Sequence, residues 1–268
     1  MCDPEKADFS QNSPGPQPGF TLAGDPRGHT LAVLHGWAAD SAFTAALGSL
    51  FPEYRVMLID LPGYGKSRAL AGSVGHFAEQ VRLLCGIIPE GAALMCWSLS
   101  SLYGIAMCAA SRRIRALITV CGSPRFPEGE SYPGLPARII GKLRHSFTKD
   151  RASHLVKLFY AGQRRGLCGE RIASCFENFT MPPYEVLREG IETMAERDER
   201  KIFSRLRLPV LLIYGALDQL VPVSQQDFLA RPPRCASLIL RHSGHMPFLS
   251  EPEKFASAVR SFLAGLSA

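Results

Sequence analysis

Six short apolar runs, each ending at a turn, constrain the fold of this 268-residue chain more than any other feature. Runs of this length are typical of strands buried on both faces of a sheet. Helical patterns separate most of them, and this alternation predicts an α/β fold with a mostly parallel central sheet and helices on both faces. The runs cover residues 30–34, 55–59, 92–96, 114–120, 209–214 and 236–240.

The alternation stops between residues 123 and 208. Helical patterns fill this interval without a clear buried strand, so we interpret residues 124–207 as a helical cap inserted into a core. That core comprises residues 29–123 and 208–268. Residues 1–28 are rich in Pro, Gly, Asp and Ser, which predicts an N-terminal extension that is loose or packed at an edge.

The composition excludes several classes of protein. Hydrophobic residues make up 46% of the chain and charged residues 20%, which does not fit a disordered protein. The net charge of +6 favours acidic partners, but no nucleic-acid-binding motif is present, so we expect no nucleic-acid partner. The first residues include no basic start followed by an apolar stretch, so we expect no secretory signal. A membrane span needs roughly 18 consecutive apolar residues, which the sequence lacks, so we expect no membrane association.

The eight cysteines form no C-x-x-C pair, so the common zinc and thioredoxin-type motifs are missing. Cys96, Cys108 and Cys121 lie inside apolar runs, where free thiols pack as small hydrophobic groups. Cys168 and Cys175 are two helical turns apart, and no other metal ligands accompany them, so we interpret them as buried thiols. We therefore expect a cytoplasmic protein with reduced thiols, no metal and no cofactor.

Ser98 stands between the third apolar run and a helical pattern, in Cys96-Trp97-Ser98-Leu99-Ser100. A nucleophile elbow places its serine on such a strand-to-helix turn. The tight turn requires small residues two positions before and two positions after the serine. Glycine is usual at both, and Cys96 and Ser100 are small enough to meet the same steric need. A helix N-cap serine is the alternative interpretation of this segment alone.

Half of an oxyanion hole is predicted after the first apolar run, at His35-Gly36-Trp37. The backbone N–H groups of Trp37 and of Leu99, the residue after the serine, can both point at an oxygen that becomes negative during ester hydrolysis. Without the other features, His-Gly is only a turn dipeptide.

Asp218 and His245 complete a predicted catalytic triad. Asp218 follows the fifth run, at the sheet edge where open α/β folds place functional carboxylates. His245 follows the sixth run, and Gly244 allows its loop to approach the serine; His242 is an alternative base. The order Ser…Asp…His matches one of the known triad orders. In this hypothesis His245 accepts the proton of Ser98 while Asp218 orients the imidazole.

The segment Asp60-Leu-Pro-Gly-Tyr-Gly-Lys-Ser67 allows two interpretations. Its end resembles a phosphate-binding loop, but that pattern needs Gly where Asp60 stands, so nucleotide binding is disfavoured. The whole segment is similar to the D-x-P-G-x-G-x-S segment of the α/β-hydrolase superfamily, whose role is structural. Together with the serine, aspartate and histidine segments, it makes residues 30–266 resemble that superfamily.

A narrower resemblance is to the pimeloyl-[acyl-carrier-protein] methyl ester esterases of biotin synthesis. That family usually has Gly at the positions of Cys96 and Ser100. The resemblance implies a serine carboxylesterase that hydrolyses the methyl ester of a pimeloyl chain on acyl carrier protein and releases methanol. The similar stretches are His35-Gly36-Trp37, Trp97-Ser98-Leu99, residues 118–124, Tyr132-Pro-Gly134, residues 214–222 and His245-Met-Pro-Phe248.

The same resemblance implies that basic side chains of the cap bind the carrier's phosphopantetheine arm and acidic surface. Residues 138–171 carry nine Lys or Arg against two acids, a net charge of +7. Such charge attracts an acidic carrier and raises encounter rates, although a merely solvated surface is the alternative. The candidate carrier-binding residues are Arg138, Lys142, Arg144, Lys149, Arg151, Lys157, Arg164 and Arg165.

Other functions use the same features. A generic short-chain carboxylesterase, a thioesterase and a carbon–carbon hydrolase of meta-cleavage products would all use this triad. Some α/β-hydrolase relatives bind small ligands or partners with little catalysis, which an intact triad disfavours. We expect a monomer whose partner is acyl carrier protein.

Overall fold

The computed structural model describes residues 16–162 and 169–266. The strands are β1 (Phe20–Gly24), β2 (Thr30–Leu34), β3 (Arg55–Ile59), β4 (Ala92–Trp97), β5 (Ile114–Val120), β6 (Val210–Gly215) and β7 (Cys235–Leu240). They form one sheet in the order β1-β3-β2-β4-β5-β6-β7, in which β1 is antiparallel to β3 and all other neighbours are parallel. The predicted mostly parallel α/β sheet is confirmed.

Helices connect the strands and cover the sheet. The α-helices of the described residues are α1 (Ala46–Leu50), α2 (Phe77–Ile87), α3 (Ser100–Ala110), α4 (Ala137–Ser146), α5 (Ala152–Gly162), α6 (Gly169–Glu177), α7 (Tyr184–Glu196), α8 (Arg200–Phe203), α9 (Pro247–Ser250) and α10 (Pro252–Ala264). In the same described part of the chain, 3₁₀ helices cover Gly65–Ser73 and Val223–Asp227. Helices α4 to α8 lie between β5 and β6, in the interval that we interpret as the cap; its bounds stay a prediction.

Burial follows the position of each strand in the sheet. Strands β4 and β6 are buried along their whole length, as their apolar sequences predict. Strand β7 is equally apolar but lies at the sheet edge, and it leaves Ile239 39% exposed. The expectation of burial on both faces is therefore wrong for β7, because an edge strand is covered on fewer sides than a central one.

Strand β1 forms the other edge and lies within the predicted extension, residues 1–28. Phe20 pairs with Ile59, and the N–H of Gly19 donates to Ser67 Oγ at 2.8 Å. The sheet thus begins at Phe20, before residue 29, where we expected the core to start. This five-residue strand is antiparallel and has no helix before it, so it lacks the strand–helix signal that marks the others.

The described cysteines and helices bear on two further expectations. None of the helices in the described part of the chain is both long and apolar enough to cross a membrane. Cys2 and Cys168 lie outside the described residues. The described cysteines are all free thiols, namely Cys85, Cys96, Cys108, Cys121, Cys175 and Cys235.

Candidate active site

The three residues of the predicted triad follow three parallel strands of the sheet. Ser98 comes directly after β4, Asp218 after β6 and His245 after β7. The carboxyl ends of parallel strands meet at one edge of a sheet, which is where open α/β folds place their ligands. The topology therefore brings the three side chains together although up to 147 residues separate them.

Two hydrogen bonds join these side chains into a chain. Ser98 Oγ lies 2.8 Å from His245 Nε2, and His245 Nδ1 lies 2.8 Å from Asp218 Oδ2. Asp218 Oδ1 also accepts from the N–H of Leu220 at 2.8 Å, which fixes the carboxylate. This geometry suits proton transfer from the serine hydroxyl to the imidazole.

His242, the alternative base, is not part of this arrangement. It is exposed, and its backbone N–H donates to Glu251 Oε2 at 2.9 Å. The His245 loop is held differently, because the indole N–H of Trp97 donates to the His245 carbonyl at 2.8 Å. Of the two histidines, the structure therefore places only His245 against Ser98.

Ser98 has the backbone conformation of a nucleophile elbow. Its φ of 59° lies in the left-handed region, which a residue other than glycine seldom adopts. The Ser98 N–H donates to the Val120 carbonyl at 2.9 Å, so the turn is fixed to β5. Strain of this kind persists only where surrounding contacts hold it.

Cys96 occupies a position that glycine usually takes in this turn, and Gly104 on α3 makes room for it. A Cβ at Gly104 would overlap Cys96 Sγ. The elbow therefore carries a side chain at Cys96, where glycine is usual. The facing helix has glycine at position 104, where a side chain would collide with it. Burial raises the pKa of the Cys96 thiol, which keeps it neutral.

The pairing of Cys96 with Gly104 predicts a compensating pair of substitutions. Gly104→Ala is expected to lower the free energy of unfolding by about 1–3 kcal/mol, because overpacking forces side chains or backbone to shift. Cys96→Gly in the same chain should recover most of that loss. Denaturant unfolding of the two single variants and the double variant measures this coupling, and strictly additive effects would contradict it.

Ser100, the other departure from glycine, is held by the backbone. Its hydroxyl lies 2.9 Å from the Trp97 carbonyl and 3.0 Å from the Leu34 carbonyl. Leu34 ends β2, so this side chain ties the start of α3 to the neighbouring strand. The small hydroxyl therefore replaces glycine without disturbing the turn.

The predicted oxyanion donors belong to the residue after Ser98 and to the loop after β2. A Cβ on Gly36 would stand 3.1 Å from Ser98 Cβ, so the loop after β2 approaches the serine as closely as glycine permits. Neither the Trp37 N–H nor the Leu99 N–H donates to any acceptor in the described residues. Both donors are therefore free to bind a substrate oxygen.

Two cap helices hold Trp37 in place. Its indole N–H donates to the Leu187 carbonyl of α7 at 2.8 Å, and its own carbonyl accepts from the Tyr160 hydroxyl of α5 at 2.9 Å. Gly190 of α7 faces the indole, and a Cβ there would stand 2.5 Å from Trp37 Cδ1. The loop that carries a predicted oxyanion donor is thus fixed by the cap.

His35 and Asp60 support this loop from below. His35 Nδ1 donates to the Gly36 carbonyl at 2.8 Å, while Nε2 accepts from the Leu61 N–H at 3.0 Å. This pattern requires a neutral imidazole, in agreement with burial, which lowers the pKa of His35. The Asp60 carboxylate accepts from the N–H groups of Ser41 and Lys66 at 2.7 and 2.9 Å, a structural role.

Aromatic side chains of the cap pack against Trp37, and the catalytic side chains are themselves buried. The Trp37 ring contacts the rings of Phe147 and Phe159 edge to face, with centroids 5.7 and 5.2 Å apart. Ser98 is only 5% exposed and His245 only 1%. Burial of this kind lowers the local dielectric, which strengthens electrostatic interactions inside the site.

The predicted carrier-binding residues are mostly exposed. Arg144 is held in ion pairs with Glu192 and, at 2.6 Å, with Glu196 of α7. Arg164 and Arg165 lie outside the described residues. The remaining candidates are exposed on or next to α4 and α5, namely Arg138, Lys142, Lys149, Arg151 and Lys157.

The sequence does not mark Asp40 or Cys121 as residues near the site. Asp40 Oδ2 accepts from the Thr180 N–H at 3.1 Å and so joins the core to the cap; burial raises the pKa of this carboxyl. Cys121 lies beside Asp218 and His245. A polar residue in a loop and a cysteine at the end of an apolar strand are both common, so neither has a signal in the sequence.

A hydrogen-bonded Ser-His-Asp triad at the carboxyl edge of an α/β sheet is the arrangement found in serine hydrolases. The protein belongs to the α/β-hydrolase family, because the family model described as "Alpha/beta hydrolase family" matches residues 31–258 of its sequence. The resemblance stated from the sequence is thereby confirmed.

Named relatives show which members of this family the sequence resembles. The chain is 32% identical to a pimeloyl-[acyl-carrier protein] methyl ester esterase of Serratia marcescens, over 87% of this chain and 93% of that protein. It is also 32% identical to the protein of the same name from Aeromonas hydrophila, over 88% of this chain and 96% of that protein. The similarity therefore spans nearly the full length of both relatives.

Solved structures share the fold at lower identity. A hydrolase from Oleispira antarctica aligns with a TM-score of 0.79 at 16% identity, over 93% of this chain and 95% of that one. A putative aryl esterase from Burkholderia cenocepacia aligns with a TM-score of 0.75 at 22% identity, over 92% and 94%. These likenesses establish the α/β-hydrolase fold.

Proposed function

We propose that this protein is a serine carboxylesterase that hydrolyses the methyl ester of pimeloyl-[acyl-carrier protein] to free pimeloyl-[acyl-carrier protein] and methanol in biotin synthesis. The observation that carries the proposal is the hydrogen-bonded chain Ser98–His245–Asp218, with 2.8 Å at each step. The named relatives, similar over nearly their full length, supply the substrate. The triad needs no cofactor and no metal for this reaction.

The reaction follows from the positions of these groups. His245 Nε2 removes the proton of Ser98 as Oγ attacks the ester carbonyl, and Asp218 stabilises the imidazolium that forms. The N–H groups of Trp37 and Leu99 bind the oxyanion; in comparable sites, losing one such donor costs about 2.7–4 kcal/mol of barrier. His245 then protonates the methoxide, and methanol leaves an acyl-enzyme.

Water completes the cycle. His245 Nε2, neutral again after methanol leaves, removes a proton from water as it attacks the acyl-enzyme. The same two N–H groups bind the second oxyanion. Collapse of this intermediate returns the proton to Ser98 Oγ and releases the free carboxylate.

The proposed partner is acyl carrier protein, delivered to the basic cap. The exposed residues Arg138, Lys142, Lys149, Arg151 and Lys157 give the cap a positive surface. Carrier proteins are acidic, so this surface attracts them over a distance comparable with the Debye length, about 8–10 Å at ordinary ionic strength. We propose that the protein works as a monomer in the cytoplasm.

The direct test is to incubate the protein with pimeloyl-[acyl-carrier protein] methyl ester. Methanol and the free acid should appear together, and the Ser98→Ala variant should produce neither. Good turnover of short-chain esters without turnover of the carrier-bound ester would leave only a generic carboxylesterase.

Two other triad reactions give different products. A thioesterase would release the free thiol of the phosphopantetheine arm from the same substrate, which a thiol reagent detects. A carbon–carbon hydrolase would consume a vinylogous diketone. Either activity, in place of methanol release, would contradict the proposed substrate.

A further inference from the structure

A third side chain lies against the Asp218–His245 pair. The ligand atoms of Cys121, Asp218 and His245 all lie within 4.8 Å of one another. Cys121 follows β5, so the three residues come from the carboxyl ends of β5, β6 and β7, which are neighbours in the sheet. Esterase chemistry uses the aspartate and the histidine but not the thiol.

The backbone at Cys121 holds the thiol in this position. Its φ of 46° lies in the left-handed region, and its N–H donates to the Ile213 carbonyl of β6 at 2.8 Å. Cys121 Sγ lies 3.5 Å from the carbonyl of Gly244, the residue before His245. The thiol is fully buried beside the acid–base pair, and strain at this φ persists only where such contacts hold it.

Thiolate, imidazole and carboxylate together are a ligand set for zinc and for the softer cadmium ion. Bond lengths of about 2.0–2.3 Å to zinc place ligand atoms of a tetrahedral site roughly 3.3–3.8 Å apart. Atoms already within 4.8 Å reach that separation through small side-chain rotations. The fourth position would be filled by water, as in zinc sites with three protein ligands.

We propose that Cys121, Asp218 and His245 form a binding site for a soft divalent cation, Zn²⁺ or Cd²⁺, and that occupation of this site inactivates the esterase. The inference rests on the proposed function, because it takes His245 as the base. In the part of the chain that the structure describes, this is the one group of three His, Cys, Asp or Glu residues close enough to share an ion.

Inactivation follows from the protons of the three ligands. The cation replaces the thiol proton of Cys121, which is released to solvent, and takes the place of the proton that His245 Nδ1 donates to Asp218. A neutral imidazole with a metal on Nδ1 carries its proton on Nε2. Nε2 then cannot accept the proton of Ser98, so the nucleophile is not activated.

Burial predicts that inhibition develops slowly. The side chains of His245 and Asp218 are 1% and 0% exposed, so the cation reaches Cys121 and Asp218 only when the His245 loop moves. The onset of inhibition should therefore be progressive over the course of an assay, and a chelator should reverse it slowly.

The inhibition experiment compares three chains on p-nitrophenyl acetate with increasing Cd²⁺. Wild-type protein should be inhibited, and EDTA should restore its activity. Cys121→Ala should need about tenfold more Cd²⁺ or more for the same inhibition, because it loses a thiolate ligand. Cys108→Ala, which removes another buried thiol, should respond as wild type. Equal sensitivity of the Cys121 and Cys108 variants would overturn the proposal.

A binding experiment separates this site from the proposed activity. Ser98→Ala should still bind Cd²⁺, seen as the ultraviolet charge-transfer band of a cadmium thiolate. The double variants Ser98→Ala/Cys121→Ala and Ser98→Ala/Cys121→Ser should each lose the absorbance that corresponds to one bound Cd²⁺ per protein. Two substitutions of different polarity guard against a folding defect in either. An unchanged band in both would overturn the site even if the esterase activity is established.

Discussion

Replacement of Ser98 with Ala is expected to lower kcat by about 10⁴-fold or more on every ester that the wild-type protein hydrolyses. The loss is this large because, among the described residues, Ser98 Oγ is the hydroxyl that His245 Nε2 contacts for the attack on the carbonyl. The N–H groups of Trp37 and Leu99 remain in the variant, so residual catalysis by oxyanion binding should persist. Steady-state kinetics on p-nitrophenyl acetate and on the carrier-bound methyl ester measure the effect.

Folding should be unaffected by that substitution. The Ser98 hydroxyl forms a hydrogen bond with His245 Nε2, and alanine has the same backbone preferences as serine at φ 59°. The midpoint of thermal unfolding should therefore shift by only a few degrees, about what a change of 1 kcal/mol produces. A variant that is folded and keeps more than a tenth of wild-type kcat would remove Ser98 from its proposed role.

The two histidines of the loop after β7 provide the matched control. His245→Ala should lose activity nearly as completely as Ser98→Ala, since members of one triad act as a unit. His242→Ala should retain wild-type kcat, because this side chain is exposed and only its backbone is hydrogen-bonded. Similar losses in both variants would mean that the loop, rather than the imidazole of His245, is responsible.

Reversal of charge on α4 should lower kcat/KM for the carrier-bound ester by about 10- to 100-fold, through loss of electrostatic attraction. The double variant Arg138→Glu/Lys142→Glu is suited to this test. Both side chains are exposed and form no ion pair with any described residue. Arg144 is left unchanged, because its ion pairs with Glu192 and Glu196 join α4 to α7 and its loss would disturb the cap.

The small ester and a distant charge pair separate docking from general damage. kcat/KM for p-nitrophenyl acetate should be unchanged in the α4 variant, since this substrate has no acidic surface. Arg112→Glu/Arg113→Glu makes the same change of charge directly before β5, at the amino ends of the strands and so opposite the triad, and should leave both reactions near wild type. Added salt should weaken the wild-type preference for the carrier. Equal losses on both substrates would contradict a docking role for α4.

The sequence predicts the sheet and the triad for the same physical reason. Apolar runs that end in turns mark central strands, and the loops after those strands meet at one edge, so Ser98, Asp218 and His245 can be assigned from their places after the runs. Strand β1 could not be predicted in this way because it is short, antiparallel and at an edge. The exposure of β7 could not be predicted either, because the order of strands, rather than the composition of one strand, decides which strand is outermost.

Contacts between elements distant in sequence could not be predicted. The room that Gly104 leaves for Cys96 depends on how α3 lies on β4, and a helical glycine has no pattern that announces such a contact. The approach of Cys121 to the acid–base pair requires a left-handed residue at the end of β5, where the sequence suggests only the end of a strand. These features depend on packing geometry, which periodicity does not encode.

Trp37 limits how freely the cap can diverge from the core. If the cap contacted the core only through apolar surface, the cap of one relative could replace that of another. Here an incoming cap would need a carbonyl for the indole N–H, a hydroxyl for the Trp37 carbonyl and a residue without a side chain where Gly190 faces the ring. New substrate preferences would then arise more readily by changing residues within this cap than by replacing it.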